Sequence, residues 1–324
     1  MYLKRGQTLR KTAQDFDSHP SPNAGRLWSM KRNTLIGLVA ALAAALIGSS
    51  WQIVSRHGVT TTLGPLELAV LRYALPTLVL LPLTVKTGLL PRALPWPRLA
   101  LLVLGGGLPF GLVVLAGAQW APAAHIGIFM AGSVPLFTAL AARLVDGEKV
   151  TGLRLAGLML IAGGMVMFGI GTLSGSAATW RGDLLFILAA IFWAIYTLVF
   201  RHSGLGAWQG AALVNTWSAL LLLPLLVGLG APRLLTAPWA DVAFQAVGQG
   251  VLAGLLGLVT YMAAVTRLGA AKASLSAALV PLMTALGAGW LLGEPLGAGI
   301  LVAALVVACG VLLASGLLRP RLSN

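Results

Sequence analysis

The chain carries one pattern twice. Pro135, Gly147, Glu148 and Gly164 return as Pro281, Gly293, Glu294 and Gly310, each 146 positions later. Between the anchors, Pro135-Leu136 and Thr138-Ala139-Leu140 are matched by Pro281-Leu282 and Thr284-Ala285-Leu286. Several anchors in one register mean two copies of one structural unit, and a repeat decides architecture before any single residue does. Where such a unit lies in a membrane, the interface between the copies is the expected place for a binding site.

The repeat sits in membrane-like sequence. The chain is 58% hydrophobic and 9% charged, where a soluble domain carries about 25% charged residues. Residues 33–318 form successive apolar runs, each about 20 residues long, which crosses a hydrocarbon core as helix. The two-residue alternation of a membrane barrel is absent. The expected spans are 33–54, 65–85, 98–118, 122–145, 151–171, 182–201, 207–228, 243–265, 270–292 and 296–317. The fold class is therefore an all-α polytopic membrane protein with ten transmembrane helices. The single cysteine, Cys309, lies in the last run, so no intramolecular disulfide forms.

Charge sets the expected orientation. The net charge of +14 would suggest nucleic acid in a soluble protein. Here the basic residues gather in the N-terminal tail and a few loops, so no nucleic-acid partner is expected. With ten spans and a cytoplasmic N-terminus, 18 basic residues fall inside and four outside, as the positive-inside rule requires. Both termini are then cytoplasmic, in a plasma (bacterial inner) membrane. Five spans per copy is an odd number, so the second copy enters from the opposite side and the two five-helix repeats are inverted. The expected organisation is a disordered tail at 1–32, repeats at 33–172 and 182–318, and a short tail at 319–324. Met30, just before Lys31-Arg32-Asn33, resembles a natural start.

The same residues carry a family resemblance. Tyr261 to Lys272 leads through Ala273-Ser274-Leu275-Ser276 to Pro281, then to Gly293-Glu294 and a final span with Gly310. This resembles the second EamA-type domain of the drug/metabolite transporter superfamily. Ala121-Pro122-Ala123-Ala124-His125, Pro135, Gly147-Glu148 and Gly163-Gly164 give a similar first domain, and Leu71-Arg72 also fits. The first copy departs from the family pattern at Pro122 and His125, where small residues are commoner. The resemblance implies a ten-helix bundle of two inverted repeats that exports or exchanges small metabolites, with no resident cofactor. The fold itself does not name the substrate.

Ionisable residues at membrane depth are costly and therefore candidates for function. Lys272 and His125 begin equivalent spans in the two copies and would approach the centre from opposite sides, together holding a carboxylate or phosphate. The plainer readings are that Lys272 snorkels to the inner surface and His125 caps a helix. Arg72, several residues into the second span, faces an anion, pairs with a residue elsewhere or snorkels outward. Glu67 is a candidate proton-coupling carboxylate near the surface. Trp51, Gln52, Gln119, Trp193, Tyr196, Asn215 and Tyr261 form a candidate polar and aromatic lining, the alternative being an interfacial belt. Glu148 and Glu294 read as structural, each capping the helix that follows. Pro135 and Pro281 read as kinks at matching points, and Gly164 and Gly310 as close-packing positions.

The expected partners are the lipid bilayer, a small-molecule substrate and protons as a candidate coupling ion, in a monomer or homodimer. The function read from the sequence is gradient-driven export of small polar metabolites such as amino acids or related anionic and zwitterionic compounds. The spans hold no His-Glu-x-x-His, Gly-x-Ser-x-Gly or paired aspartates, which weighs against an intramembrane enzyme. No ATP-binding loop is present either. A lipid-scrambling or assembly protein is the other alternative. Lys272→Met is expected to abolish transport while leaving folding intact, as read by flux at matched protein levels.

Overall fold

The computed structural model describes residues 22–92, 94–150, 152–173, 178–269 and 275–315. Among them every regular element is helical. The chain runs through α1 (Pro22–Thr60), α2 (Pro65–Thr87), α3 (Trp96–Trp120), α4 (Ala123–Asp146), α5 (Gly152–Leu173) and α6 (Thr179–Arg201). It continues through α7 (Ala207–Leu229), a single turn at Arg233–Thr236, α8 (Trp239–Leu268), α9 (Leu275–Leu292) and α10 (Ala298–Ala314). Eight of these, α1 to α8, are long and apolar enough to cross a membrane, while Ala278–Leu292 within α9 and Ala298–Ala314 are shorter apolar helices. Leu78, Val85, Leu144, Val227 and Trp290 lie exposed on the outer surface, as they would against lipid. α1 begins at Pro22, inside the stretch expected to be disordered tail. Proline is well placed there, because the first turn of a helix needs no N–H from it.

The main helix pairings recur when the two halves are exchanged. α2 packs on α7, α4 on α9 and α5 on α10, each pairing one helix with its repeat-mate. α3 packs on α6 as α8 packs on α1, and α4 packs on α6 as α9 packs on α1. The α5–α10 seam shows why the repeated glycines are small. A side chain at Gly310 would meet the Gly157 carbonyl oxygen at 2.8 Å and the Ile161 backbone nitrogen at 2.9 Å, and one at Gly164 would meet Val306 at 2.9 Å. The two backbones touch, which small residues permit in a membrane bundle.

Two helices are interrupted next to the central cavity. α3 breaks at Gly107, since Pro109 has no N–H to continue the ladder. Side chains bond at the break: the Tyr73 hydroxyl donates to the Gly107 carbonyl (2.6 Å), which also accepts the Gly111 N–H of the restarted helix (3.0 Å), and the Leu108 N–H donates to Ser218 Oγ (2.9 Å). In α4 the helix widens to a π-helix at Ile126–Ala131 and restarts at Val134, with Pro135 in its first turn. Pro281 lies inside α9, which stays continuous, and its backbone approaches Gly127. The matched prolines therefore do different things, an interruption in α4 and an interior proline in α9. α8 also carries a π-helix, Ala246–Gly257.

Gly310→Leu is expected to lower stability by roughly 1–3 kcal/mol or to prevent folding, because backbone rather than a side chain blocks the space. Gly163→Leu, at an exposed position where an added Cβ would meet nothing within 4 Å, should leave the melting temperature in detergent unchanged.

Candidate functional site

A cavity of about 420 Å³ lies between the halves. Its inner wall is built around Trp51 of α1. The Trp51 Nε1–H donates to Gln249 Oε1 (2.8 Å), and the Gln249 amide in turn donates to Ser55 Oγ (2.9 Å), so α8 holds the indole in place. The Arg72 guanidinium lies over the Trp51 ring, 4.2 Å from its centroid, a cation–π contact that gains strength where water is excluded. Arg72 Nε also donates to the Tyr73 hydroxyl (3.3 Å). That hydroxyl is itself committed to Gly107, so the break in α3 helps to aim Arg72.

Arg72 is only 3% exposed, and its Nη1 lies buried without a hydrogen-bond partner. Among the described residues it is in no ion pair. A buried guanidinium left this way is costly unless something else completes its shell. It lines the cavity, where an anion can do so.

Other expected site residues sort into two groups. Gln52 and Tyr261 line the same cavity, as do Trp193 and Pro135. Gln52 Oε1 accepts from Thr284 Oγ1 (3.0 Å), tying α1 to α9, and the Tyr261 hydroxyl lies 3.3 Å from Thr197 Oγ1. His125, Gln119, Tyr196 and Asn215 are not part of the cavity wall. Tyr196 is fully buried and packs beneath Gly105 and Gly106. The Asn215 side chain donates to the Gly254 carbonyl (2.9 Å), joining α7 to α8. Gln119 is exposed at the end of α3. His125 Nδ1 lies 2.8 Å from Asp183 Oδ1, with both side chains buried and Phe168 against the imidazole. Lys272 lies outside the described residues.

The two repeated glutamates sit at opposite ends of the bundle. Gly147 and Gly293, both with φ +66°, end α4 and α9 in the left-handed region, which glycine adopts without strain. Each following glutamate N–H bonds back six residues, to Ala142 (3.3 Å) and Ala288 (3.4 Å). The side chains then cross to the other half. Glu294 pairs with Arg56 at the end of α1 (3.0 Å) and accepts the Ala123 N–H at the start of α4 (2.9 Å). The helix it caps is thus α4, not the α10 that follows it. Arg56 also donates to the Ala118 carbonyl (2.6 Å). Glu148 pairs with Arg201 at the end of α6 (3.1 Å) and with Arg154 (3.5 Å), and Arg201 also pairs with Asp146.

These two ends are not in the same state. The Glu294 side chain is 13% exposed and Glu148 35%. Glu148, Arg154 and Arg201 line the cavity, whereas Arg56 and Glu294 do not. The cavity therefore reaches from Trp51 to the Glu148 cluster and is not lined by the Arg56–Glu294 pair.

Sequence reasoning passed over Asp183, Gln249 and Phe110. Asp183 had a signal, a carboxylate in the first turns of an apolar span. Gln249 and Phe110 had none beyond their residue type. Glu67, considered as a proton carrier, accepts the Gly64 N–H at 3.0 Å and so caps α2.

This is a multi-pass membrane protein with a polar-tipped cavity between two similar halves. Residues 35–170 and 180–316 each match EamA, the EamA-like transporter family. The chain belongs to that family, which is one of transporters rather than enzymes. It is 34% identical to an uncharacterised protein of Pseudomonas aeruginosa over 188 residues, 58% of this chain and 62% of that one. It is 29% identical over 196 residues, 59% of this chain and 63% of the other, to a Streptantibioticus cattleyicolor protein named "Probable terminal-alkyne amino-acid exporter". The matches thus span about three fifths of these two relatives' lengths. The uncharacterised transporter YyaM of Bacillus subtilis is 26% identical over 79% of this chain and 86% of its own. A crystal structure at 20% identity superposes with a TM-score of 0.59, covering 90% of this chain and 99% of its own, and so shares the fold.

Asp183→Ala would leave the His125 imidazole buried without its partner. The expected cost is about 1–3 kcal/mol, read as a lower melting temperature in detergent, with Asp183→Asn losing less.

Proposed function

We propose that the protein is a gradient-driven secondary transporter that exports small polar metabolites, amino acids or related anionic and zwitterionic compounds, by alternating access. The observation that carries this reading is Arg72, buried, in no ion pair among the described residues and lining a cavity between the two halves. A guanidinium with a free N–H in a water-poor site recognises a carboxylate or phosphate strongly. The amino-acid exporter among the relatives has a substrate of the same class.

The architecture proposed is ten spans in two inverted repeats, with both termini in the cytoplasm. Helix pairings that survive exchange of the halves support it, as does the charge distribution. In this orientation the Glu148 end faces the cytoplasm, so the cavity is placed to load from inside. The crossed pairs then act as gates: Arg56–Glu294 holds the outer end shut, and Arg201–Glu148 is its inner counterpart. Rocking of the halves would open one as the other closes, around a site made of Trp51, Gln52, Arg72, Tyr261 and Lys272. His125, Tyr196 and Asn215 serve helix contacts in this state, and Gln119 lies outside it.

The test compares metabolites in spent medium from cells expressing wild type or Arg72→Met at matched membrane levels. A compound accumulating outside with wild type should fall by about tenfold or more in the variant, the worth of one charged hydrogen bond. Equal accumulation with both would remove Arg72 from the site.

A further inference from the structure

The corner where α3 ends and α4 begins is gripped from two sides. On one side Glu294 accepts the Ala123 N–H and Arg56 donates to the Ala118 carbonyl. On the other lies the start of α6. A side chain at Gly182 would meet both the Gly117 carbonyl oxygen and Ala121 Cβ at 2.7 Å, so the backbones touch there. The next residue, Asp183, places its Oδ1 2.8 Å from Nδ1 of His125, which follows Ala123 by two positions. The two side chains are 7% and 6% exposed, and Phe168 packs against the imidazole with ring centroids 4.8 Å apart. Asp183 Oδ2 lies buried without a hydrogen-bond partner. Neither residue lines the cavity.

The repeat does not supply this pair twice. Arg56 returns as Arg201, 145 positions on, and Glu148 as Glu294, 146 positions on. At those two distances from His125 stand Ala270 and Ala271, and from Asp183 Leu38 and Gly37. Both ends of the bundle thus carry the Arg–Glu device, and one end alone adds two titratable groups. The other charged or titratable groups on the elements packed here are engaged elsewhere. Arg181 of α6 lies over Trp120 and Trp180, Arg56 of α1 pairs with Glu294 after α9, and His57 of α1 packs on Phe244. Arg98 of α3, Arg143 and Asp146 of α4 and Arg154 of α5 lie at the other ends of their helices, and α10 carries no charge. Among the described residues, Asp183 pairs with no cation but the imidazole.

A neutral imidazole beside a carboxylate leaves one net negative charge in a water-poor site. One added proton turns the pair into imidazolium and carboxylate with no net charge. Burial penalises an uncompensated charge more than a compensated pair, and the donorless Oδ2 adds to the cost of the unprotonated form. Water reaching the pair removes that difference. We infer that His125 and Asp183 form a proton-binding site, which holds one proton while the Arg56–Glu294 end is closed and gives it up to water when that end opens. Proton occupancy then favours the closed state. Because the matching corner of the other repeat has no such pair, the proton acts on one end only. This rests on the alternating-access reading and gives it an ion site apart from the substrate cavity.

The test uses the purified full chain in nanodiscs, with Cys309→Ala and with spin labels on Thr61→Cys and Gln119→Cys, exposed positions just beyond Arg56 and Ala118. Double electron–electron resonance reads the distance between the labels at about pH 5 and about pH 8, the range in which imidazole changes charge. The long-distance population should grow about threefold or more from the lower pH to the higher. His125→Gln combined with Asp183→Asn keeps a hydrogen-bonding pair that does not titrate, and the two populations should then be the same at both pH values. Asp183→Asn alone serves where the double variant does not fold. There a proton would create net charge instead of removing it, so the dependence should vanish or reverse. Two populations in the wild type whose ratio pH does not move, or moves the other way, would overturn the proton site and leave alternating access standing. So would a dependence that persists unchanged in these variants, which would assign it to Glu294 or His57. One population at every pH would defeat alternating access and the proton site with it.

Discussion

A helix broken inside a membrane must find partners for the backbone groups it frees, because no lipid can supply them. The break at Gly107 of α3 is where this constraint shapes the molecule. Its carbonyl takes the Tyr73 hydroxyl from α2 and its next amide is given to Ser218 of α7. Three helices from the two halves are thereby fixed to one point. The Tyr73 hydroxyl then meets Arg72, Arg72 rests on Trp51, and Trp51 is held by Gln249 of α8. Arg72, whose Nη1 is without a partner, is thus tied through Tyr73 to the break in the neighbouring helix α3.

The repeat has a related logic at the ends of the bundle. Gly147 and Gly293 stop their helices in the left-handed conformation, which sends the next residue back across the bundle. Glu148 and Glu294 then reach arginines of the opposite half, Arg201 and Arg56. The two repeated glutamates stand in unequal surroundings. The more buried Glu294 pair, with its added bonds to Ala123 and from Arg56 to Ala118, does not line the cavity. The more exposed Glu148 pair borders it.

Hydrogen-bonding side chains of the cavity wall tie helices together, Trp51 to Gln249 joining α1 to α8 and Gln52 to Thr284 joining α1 to α9. The His125–Asp183 pair stands apart from both, joining α4 to α6 behind the wall.

Much of the architecture was legible in the sequence because it depends on local or periodic properties. Apolar runs of bilayer length specify helices, and the spacing of Pro, Gly-Glu and Gly specifies a repeat with the family it belongs to. Trp51, Gln52, Arg72 and Tyr261 were found as lining because polar and ionisable groups in apolar sequence have few other uses. Their neighbours were not legible. Nothing local distinguishes Gln249, which holds Trp51, from a solvent-facing glutamine, or Phe110 from any core phenylalanine. Tyr196 and Asn215 looked the same as Tyr261 in sequence, yet pack between helices. Glu294 follows a glycine at a helix end and looks like the cap of the next helix, while its side chain serves α1 and α4. The sequence by itself determined the helices, the repeat and the residue types available for binding. Which of them face the cavity, which repeated glutamate borders it and which partner each charge takes were decided only by tertiary packing, because helices distant in the chain meet through side-chain contacts that no local spacing encodes.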